Sequence, residues 1–385
     1  MGKQAIIAAI AALGASLGWA TVTLAEPLDP ALSRLVVLPA CQTATGGIVD
    51  GDAARNRIAD QYAAMGLKRR DGLCAPDNRA FMRLINEWGF ALAPAGTYSA
   101  RTTGFGGFQV GMEATYTDIH NDESYWKLGT EGERDAATGA APRSGSPPSV
   151  IQLYGLNIRK NFGLGIEAMA NVGFVPKSSI INGGADIRIS LLEGFRKGVG
   201  GVFPDVAIGS GIRTMSGTDQ LQLTTVALDA RISKPFVIAD AASITPTIGY
   251  QYVWIFGRSG LIDMTPGTDP LGYCGFSGQN TPRADGTTSA PFDGQARCQG
   301  GSSLDFNNNT VFERANLERQ RLIFGLSYRQ EMFTGSVQAI TDVVAPADSQ
   351  TSDADKAYLQ DCDSNGSCKS VPRQWQLALE FGVFF

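Results

Sequence analysis

Apolar and polar residues alternate over segments of 10 to 15 residues from Gly107 to the C-terminus, and turns separate these segments. The last segment is the most regular, and one of its faces carries Trp375, Leu377, Leu379, Phe381, Val383 and Phe385. A period of two residues predicts a β-strand, because successive side chains of a strand point to opposite faces. Ten such segments can be counted. The sequence therefore predicts an all-β fold, an antiparallel up-and-down β-barrel of about ten strands.

The end of the chain resembles the insertion signal of Gram-negative outer-membrane β-barrel proteins. In that group the final strand ends in an aromatic residue, with apolar residues at alternate positions before it. Phe385, Val383 and Phe381 match this pattern, whereas Glu380 stands where the signal often has glycine. The resemblance implies a transmembrane barrel in the cell outer membrane, in contact with its lipid and recognised by the barrel-insertion machinery. It identifies no specific family within the group.

The N-terminus has the three-part build of a secretory signal peptide. Residues 1–25 begin with Lys3, continue as an apolar stretch and end in Ala25, after which we expect cleavage. A membrane anchor is the alternative. Gly14 and Gly18 interrupt the apolar stretch, and no cluster of positive charge follows it, so export with cleavage is favoured.

Residues 26–106 lack the two-residue alternation and are predicted to form a helical periplasmic segment with a linker. Helices are expected at 51–66 and at 77–88, and the glycine-rich stretch 94–107 is the linker to a barrel over 107–385. A ten-stranded lumen is only a little wider than an eight-stranded one, which side chains fill. The alternatives are a plug in the barrel mouth and a cap on its periplasmic side, and on size we expect the cap. Two additional strands from it would instead give a twelve-stranded pore.

Connection lengths supply an independent test of a membrane barrel. The long connections, about 120–149, 258–313 and 345–371, all fall at the same end if the first strand runs outward. Outer-membrane barrels keep short turns in the periplasm and long loops outside the cell. A soluble, exported β-sandwich is the alternative, and it predicts no such bias.

Charged residues of both signs fall at positions predicted to face the lumen. They are Glu113, Arg159, Glu167, Asp186, Arg188, Arg213, Asp229, Arg231, Arg321, Arg329 and Glu380. Buried charges need partners, so one interpretation is a lumen closed by ion pairs between strands. The other is a narrow polar conduit. The leading hypothesis for function is a porin-like channel or transporter for small polar solutes. The alternative is a non-enzymatic structural or surface-interaction barrel.

Composition agrees with a barrel and excludes several other classes. The net charge is −5 and the pI about 5.1, so nucleic acid is not expected as a partner. Charged residues make up 18% of the chain and there are 46 glycines, with a mean hydropathy of −0.05. These values are too polar for a bundle of membrane helices. A single histidine excludes a histidine-rich metal site.

Six cysteines form three pairs that are close in sequence and lie in loop-like segments: Cys41 with Cys74, Cys274 with Cys298, and Cys362 with Cys368. An oxidising compartment outside the cytoplasm would support disulfides between them. A lipoprotein box ending at Cys41 is the alternative for the first pair. Pro39 and the short apolar run before it argue against that alternative.

Two local motifs suggest further chemistry. Asp118-Ile-His120 resembles the rim Asp-x-His pair of the omptin proteases, although no opposing aspartate pair is evident. Asp361, Asp363 and Asn365 match the first half of a calcium loop, but Pro372 stands where the bidentate glutamate is expected. We expect no enzymatic activity and no cofactor other than Ca²⁺ at this loop.

Overall fold

A computed structural model shows that the chain forms a closed, antiparallel barrel of ten strands. The structure describes residues 26–35, 76–132, 147–193, 203–239, 242–263, 274–276, 296–298, 309–346 and 368–385. The strands are β1 (Phe108–Asp118), β2 (Val150–Gly163), β3 (Ile166–Phe174), β4 (Ile181–Leu192), β5 (Asp205–Ser216), β6 (Leu221–Ser233), β7 (Ala242–Ser259), β8 (Ala315–Gln330), β9 (Phe333–Asp342) and β10 (Trp375–Phe384). The predicted fold class is confirmed.

The barrel closes between its first and last strands. Each strand pairs with the next in sequence, and β10 pairs with β1 so that Glu380 lies opposite Glu113. A short strand, Phe236–Ala239, adds to the start of β7. Closure satisfies every strand edge, as a bilayer requires.

Side chains alternate between the bilayer side and the interior, as the sequence pattern predicts. In β10, Phe381 is 56% exposed, whereas Ala378 is fully buried and Glu380 is 6% exposed. The outer faces of the other strands also expose large apolar side chains, such as Met112 and Ile187. Only a nonpolar surrounding makes such a continuous apolar exterior favourable.

The two ends of the barrel differ. At one end, the turn end, the short turns 164–165 and 331–332 lie near the C-terminus, where the Phe385 amide donates to the Phe108 carbonyl at 2.7 Å. The long connections 119–149, 260–314 and 343–374 all leave from the opposite end, the loop end. The predicted bias in loop length is thus confirmed.

Helix α1 (Asn78–Leu92) lies inside the barrel. Asp77 caps it by accepting a hydrogen bond from the Ala80 amide at 2.8 Å. Its apolar stripe is fully buried and consists of Phe81, Leu84, Ile85 and Trp88. The predicted helix at 77–88 is therefore present. None of the helices in the described part of the chain is long and apolar enough to cross a bilayer.

The predicted periplasmic position of this helical segment is wrong. A helix fits in the lumen because glycines remove side chains where the helix axis and the wall approach. A Cβ on Gly89 would lie 2.5 Å from the Ile255 side chain, and one on Gly257 would lie 2.5 Å from Ile85. In the described part of the chain one helix, not two, occupies the lumen, and glycines make room for it. The predicted helix at 51–66 lies outside the described residues.

The described N-terminal residues lie at the loop end rather than at the turn end. The Leu28 amide donates to the Lys177 carbonyl at 3.0 Å in the β3–β4 turn. Residues 26–35, which include the 3-10 helix Leu32–Arg34, pack beside helix α2 (Ser124–Gly129) of the first long connection. The chain thus caps the loop end, passes down the lumen as α1, and reaches β1 at the turn end.

Candidate functional site: the filled lumen

The loop-end half of the lumen is an apolar core built around α1. The inward residues of β2, β6 and β7 near this end are apolar, among them Ile151, Leu223 and Val253, and they belong to one buried cluster with the helix. Trp88 of the helix contacts Trp126 of α2, with ring centroids 5.7 Å apart. The hydrophobic effect therefore stabilises the helix in the lumen, as in the core of a soluble protein.

The turn-end half of the lumen is polar, and an extended stretch of chain fills it. We call residues 93–107 the lumen segment. Every backbone carbonyl from Pro94 to Ser99 accepts a hydrogen bond from a side chain of the barrel wall. An extended strand without a neighbour leaves its carbonyls unsatisfied, and burial would make that costly. The wall supplies the missing donors.

Two arginines make most of these contacts at the top of the lumen segment. Arg321 donates to the carbonyls of Phe90 at 3.0 Å and Pro94 at 2.8 Å. Arg231 donates to the carbonyls of Gly96 and of Tyr98, the latter at 3.1 Å. Gly96 has φ of +58°, and a Cβ there would lie 2.1 Å from the Arg231 guanidinium. Glycine is therefore required at this position both by the left-handed backbone and by the close approach.

Tyr98 is held between guanidinium groups. The Cζ atoms of Arg188 and Arg231 each lie 4.3 Å from its ring centroid, and that of Arg159 lies at 5.2 Å. Such cation–π contacts are strongest where water is excluded, and Tyr98 is 6% exposed. The ring thus fixes three wall arginines and the lumen segment relative to one another.

Acidic residues of the wall neutralise the arginines. Arg213 makes a bidentate pair with Asp186, at 2.5 and 2.9 Å. Three further pairs are Arg159 with Glu380, Arg188 with Glu167, and Arg231 with Asp229. Glu113 has no arginine partner among the described residues. It accepts a hydrogen bond from Asn157 at 2.6 Å.

The structure places ten of the eleven predicted lumen residues in the barrel interior, where each is at most 6% exposed. They are Glu113, Arg159, Glu167, Asp186, Arg188, Arg213, Asp229, Arg231, Arg321 and Glu380. Arg329 differs because it lies at the turn end, where it is exposed and its guanidinium sits 4.0 Å from the Phe384 ring centroid.

Several residues of the barrel interior were not predicted from the sequence. Arg319 pairs with Asp342 at 2.9 Å, and both side chains are fully buried. Arg319 has the same parity as Arg321, so extending β8 toward its start would have found it. Four inward glutamines also donate hydrogen bonds inside the barrel: Gln251 and Gln338 to the lumen segment, and Gln374 and Gln376 to α1. The alternation of the strands predicts that these side chains face inward. An uncharged amide, unlike a buried charge, does not indicate that a partner is required.

The Asp118-Ile-His120 motif does not form an aspartate–histidine pair in the described structure. His120 Nδ1 instead lies 3.2 Å from the carboxylate of Glu87 on α1, and the His120 amide donates to the same carboxylate at 3.1 Å. Tyr125 and Trp126 also donate to Glu87. The hydrogen bond to Glu87 raises the pKa of His120 above its usual value. This cluster fastens α2 and the first long connection to the lumen helix.

The remaining predicted sites are only partly covered by the described residues. Cys41, Cys74 and the calcium residues Asp361, Asp363 and Asn365 lie outside them, as does Cys362. Cys274 and Cys298 face each other in register on a short antiparallel ribbon, Cys274–Phe276 with Ala296–Cys298. The disulfides and the calcium ion stay predictions.

Comparison with known proteins finds similarity only to solved structures, at low identity. No family profile and no curated protein matches the chain. Solved structures with a similar fold include Ail, the attachment invasion locus protein of Yersinia pestis, at 8% identity and a TM-score of 0.21, covering 73% of this chain and 100% of Ail. The outer membrane protein OprG from Pseudomonas aeruginosa has 10% identity and a TM-score of 0.24, and the match covers 75% of this chain and 99% of OprG. The translocator domain of the autotransporter NalP from Neisseria meningitidis has 10% identity and a TM-score of 0.28, and the match covers 86% of this chain and 98% of the NalP domain.

Proposed function

We propose that this protein is an outer-membrane barrel closed by its own N-terminal segment, and that it acts at the cell surface through its long loops. The apolar exterior and the C-terminal aromatic signal support insertion in the outer membrane. By the same rule the loop end faces outside the cell. The alternative function predicted from the sequence, a non-enzymatic structural or surface-interaction barrel, is therefore the one that the geometry supports best.

One observation carries this proposal: the wall binds the lumen segment through its backbone. All carbonyls from Pro94 to Ser99 are engaged, and the arginines that bind them are buried and mostly paired with wall carboxylates. A segment that merely rested in an open pore would leave these charges to water. Here the buried polar groups are satisfied only when the segment is in place.

A narrow channel for small solutes is the second candidate. It is favoured by the buried charges of both signs on the inward faces of the strands, which would line a polar conduit if the lumen segment left. In this account the residues that now bind backbone carbonyls would line the conduit. Passage would require breaking the whole network, so this candidate is a gated pore.

Conductance across a planar bilayer separates the two functions. The full-length barrel is expected to show no channel events, because its lumen is filled. A variant lacking residues 26–100 is expected to show discrete channel steps. Its folding is checked by migration on an unboiled gel, since folded barrels run differently from boiled ones. Steady conductance of the full-length protein would favour the channel and contradict closure.

The Cys274–Cys298 register supports a disulfide in the longest loop. Such a bond would join the two strands of this ribbon covalently. We propose oxidised pairs in the loops as part of the surface function. Thiol counting by mass spectrometry, with and without reduction, tests it. Free thiols at both positions in protein purified from the outer membrane would contradict it.

A further inference from the structure

A cavity of about 130 Å³ lies at the turn end, between the lumen segment and the barrel wall. We call it the turn-end pocket. The lumen segment contributes Thr97, Tyr98, Ser99, Arg101, Thr102 and Thr103 to its lining. Since one water occupies about 30 Å³, the pocket has room for roughly four waters, or for a small ion of comparable size.

The charges around the pocket are unbalanced. Four arginines line it, namely Arg101, Arg159, Arg188 and Arg329, against the single carboxylate of Glu380. Arg159 pairs with Glu380, and Arg188 pairs with Glu167, an interior residue that does not line the pocket. Within the described part of the chain, Arg101 and Arg329 have no carboxylate at ion-pair distance. Both side chains are exposed at the mouth, so two positive charges without a carboxylate partner border one small cavity.

A buried donor also lacks a partner at this place. The Nε of Arg188 makes no hydrogen bond, although the residue is 3% exposed and its Nη atoms bind Glu167 and the lumen segment. A buried N–H without an acceptor is unfavourable by itself. The Nη atoms of Arg188 reach the carbonyls of Ser99 and Arg101 and the Glu167 carboxylate, so Nε is the one donor of this side chain without an acceptor.

The rest of the lining is rich in hydroxyl groups and holds one arginine in place. Ser243, Thr245, Ser327, Thr334 and Ser336 of three neighbouring strands surround the cavity. Hydroxyl groups donate readily to oxyanions. The Arg329 guanidinium stacks 4.0 Å from the centroid of the Phe384 ring, which restricts its position at the mouth. Fixed guanidinium groups with hydroxyl donors are the chemistry that recognises phosphate and sulfate groups.

We propose that the turn-end pocket is a binding site for a small oxyanion, a phosphate or sulfate group, held between Arg101 and Arg329. The ligand completes the charge balance of the pocket. Because Arg101 belongs to the lumen segment and Arg329 to β8, the anion bridges the segment to the wall. Binding therefore stabilises the closed state of the barrel at its turn end. The source is either a free ion or the headgroup of a phospholipid.

Calorimetric titration of the full-length protein tests the site. The barrel is purified in a nonionic detergent without phosphate, and inorganic phosphate is added at constant ionic strength maintained with chloride. Saturable binding with one site is expected. Because a charge-assisted hydrogen bond contributes more than a factor of ten in affinity, R101Q and R329Q should each weaken binding about tenfold or more. R258Q removes an exposed arginine at the opposite end and should bind as the wild type does.

A second readout keeps the test independent of variant stability. Phosphate should slow amide exchange in residues 97–103 of the wild-type protein and leave it unchanged in the R101Q/R329Q variant, whose folding is checked by migration on an unboiled gel. Lysine variants R101K and R329K should recover part of the affinity. A short-chain anionic phospholipid, titrated in the same way, distinguishes the source: tighter binding than phosphate identifies a headgroup site, and weaker binding identifies a site for the free ion.

Two results would overturn the proposal. One is the absence of saturable binding of phosphate, sulfate and phospholipid to the wild type. The other is binding of phosphate to folded R101Q/R329Q with the wild-type affinity, which would place the anion elsewhere.

Discussion

At the scale of single residues, the interior of this barrel depends on the shape of the guanidinium group. In the turn-end half of the lumen, the buried cations that the structure describes are arginines. Arg231, for example, binds a carboxylate and several carbonyls at once. A lysine ammonium has three donors on a flexible stem and is more strongly hydrated. Arginine therefore allows a buried cation to satisfy an acid of the wall and the backbone of the lumen segment together.

The bidentate Arg213–Asp186 pair should be far more sensitive to substitution than an ion pair near the surface. Both side chains are at most 4% exposed, so Asp186→Asn leaves a buried guanidinium without its countercharge. We expect a loss of about 3–5 kcal/mol in the free energy of unfolding. Urea unfolding followed by tryptophan fluorescence measures it.

The matched control is Glu131→Gln, which breaks the Arg34–Glu131 pair at 17% and 19% exposure. Solvent screens this pair, so the change should be about 1 kcal/mol or less. Equal effects of the two substitutions would contradict the buried network.

The sole histidine provides a pH-dependent contact at the loop end. Its hydrogen bond to Glu87 raises the pKa of His120, so an NMR titration of this single imidazole should have a midpoint above the usual 6.5. A raised pKa means that the contribution to stability is complete below pH 6.5 and is lost as the pH rises through the value in the folded protein. His120→Gln should remove this pH dependence. A midpoint at or below 6.5 would contradict the contact.

At the scale of elements, the strands follow from the sequence and the position of the helix does not. The alternation in β10 and the parity of β8 are local properties that a pattern of two residues reveals. The seating of α1 depends on Gly257, far from the helix in sequence, and on Gly89. Nothing local marks these two glycines as a fit between helix and wall.

Replacing Gly89 by alanine should change the stability of the helix in the opposite direction from the same substitution in an ordinary helix. Replacing glycine by alanine within a helix normally stabilises it by about 1 kcal/mol. A Cβ on Gly89 would collide with the Ile255 side chain at 2.5 Å, so Gly89→Ala should destabilise the seated helix. Faster amide exchange over residues 78–92 measures this.

The control for this prediction is Gly335→Ala in β9, where a new Cβ would lie 3.9 Å from the Glu380 carbonyl oxygen, an ordinary contact. It should leave exchange of the helix unchanged. Slower exchange of the helix in Gly89→Ala would show that the helix is not packed against this wall.

At the scale of the whole molecule, the number of strands, the bias in loop length and the inward charges could be predicted from the sequence. The contents of the lumen could not, because the contacts that define it join residues far apart in the chain. Arg231 and Gly96 are separated by 135 positions, and Arg321 and Pro94 by 227. The sequence shows that the inward arginines need partners. It does not show that backbone carbonyls of the N-terminal segment are among them.

The path of the chain places its described N-terminal residues at the loop end, which the proposed orientation puts outside the cell. An epitope inserted between Ala25 and Glu26 should therefore bind antibody on intact cells, because residues 26–35 pack at the loop end. The same epitope in the turn at 331–332 should bind only after the outer membrane is permeabilised. The reverse result would show that the barrel has the opposite orientation in the membrane.

The central claim is that residues 94–103 fill the lumen in the native protein. Hydrogen–deuterium exchange of the folded, full-length barrel tests it most directly, since the amides of Ala100, Thr102 and Thr103 donate to wall residues. We predict that peptides covering 94–103 exchange as slowly as the strands of the barrel. Exchange of these peptides at the rate of an unstructured chain, in a barrel whose strands stay protected, would contradict a closed lumen.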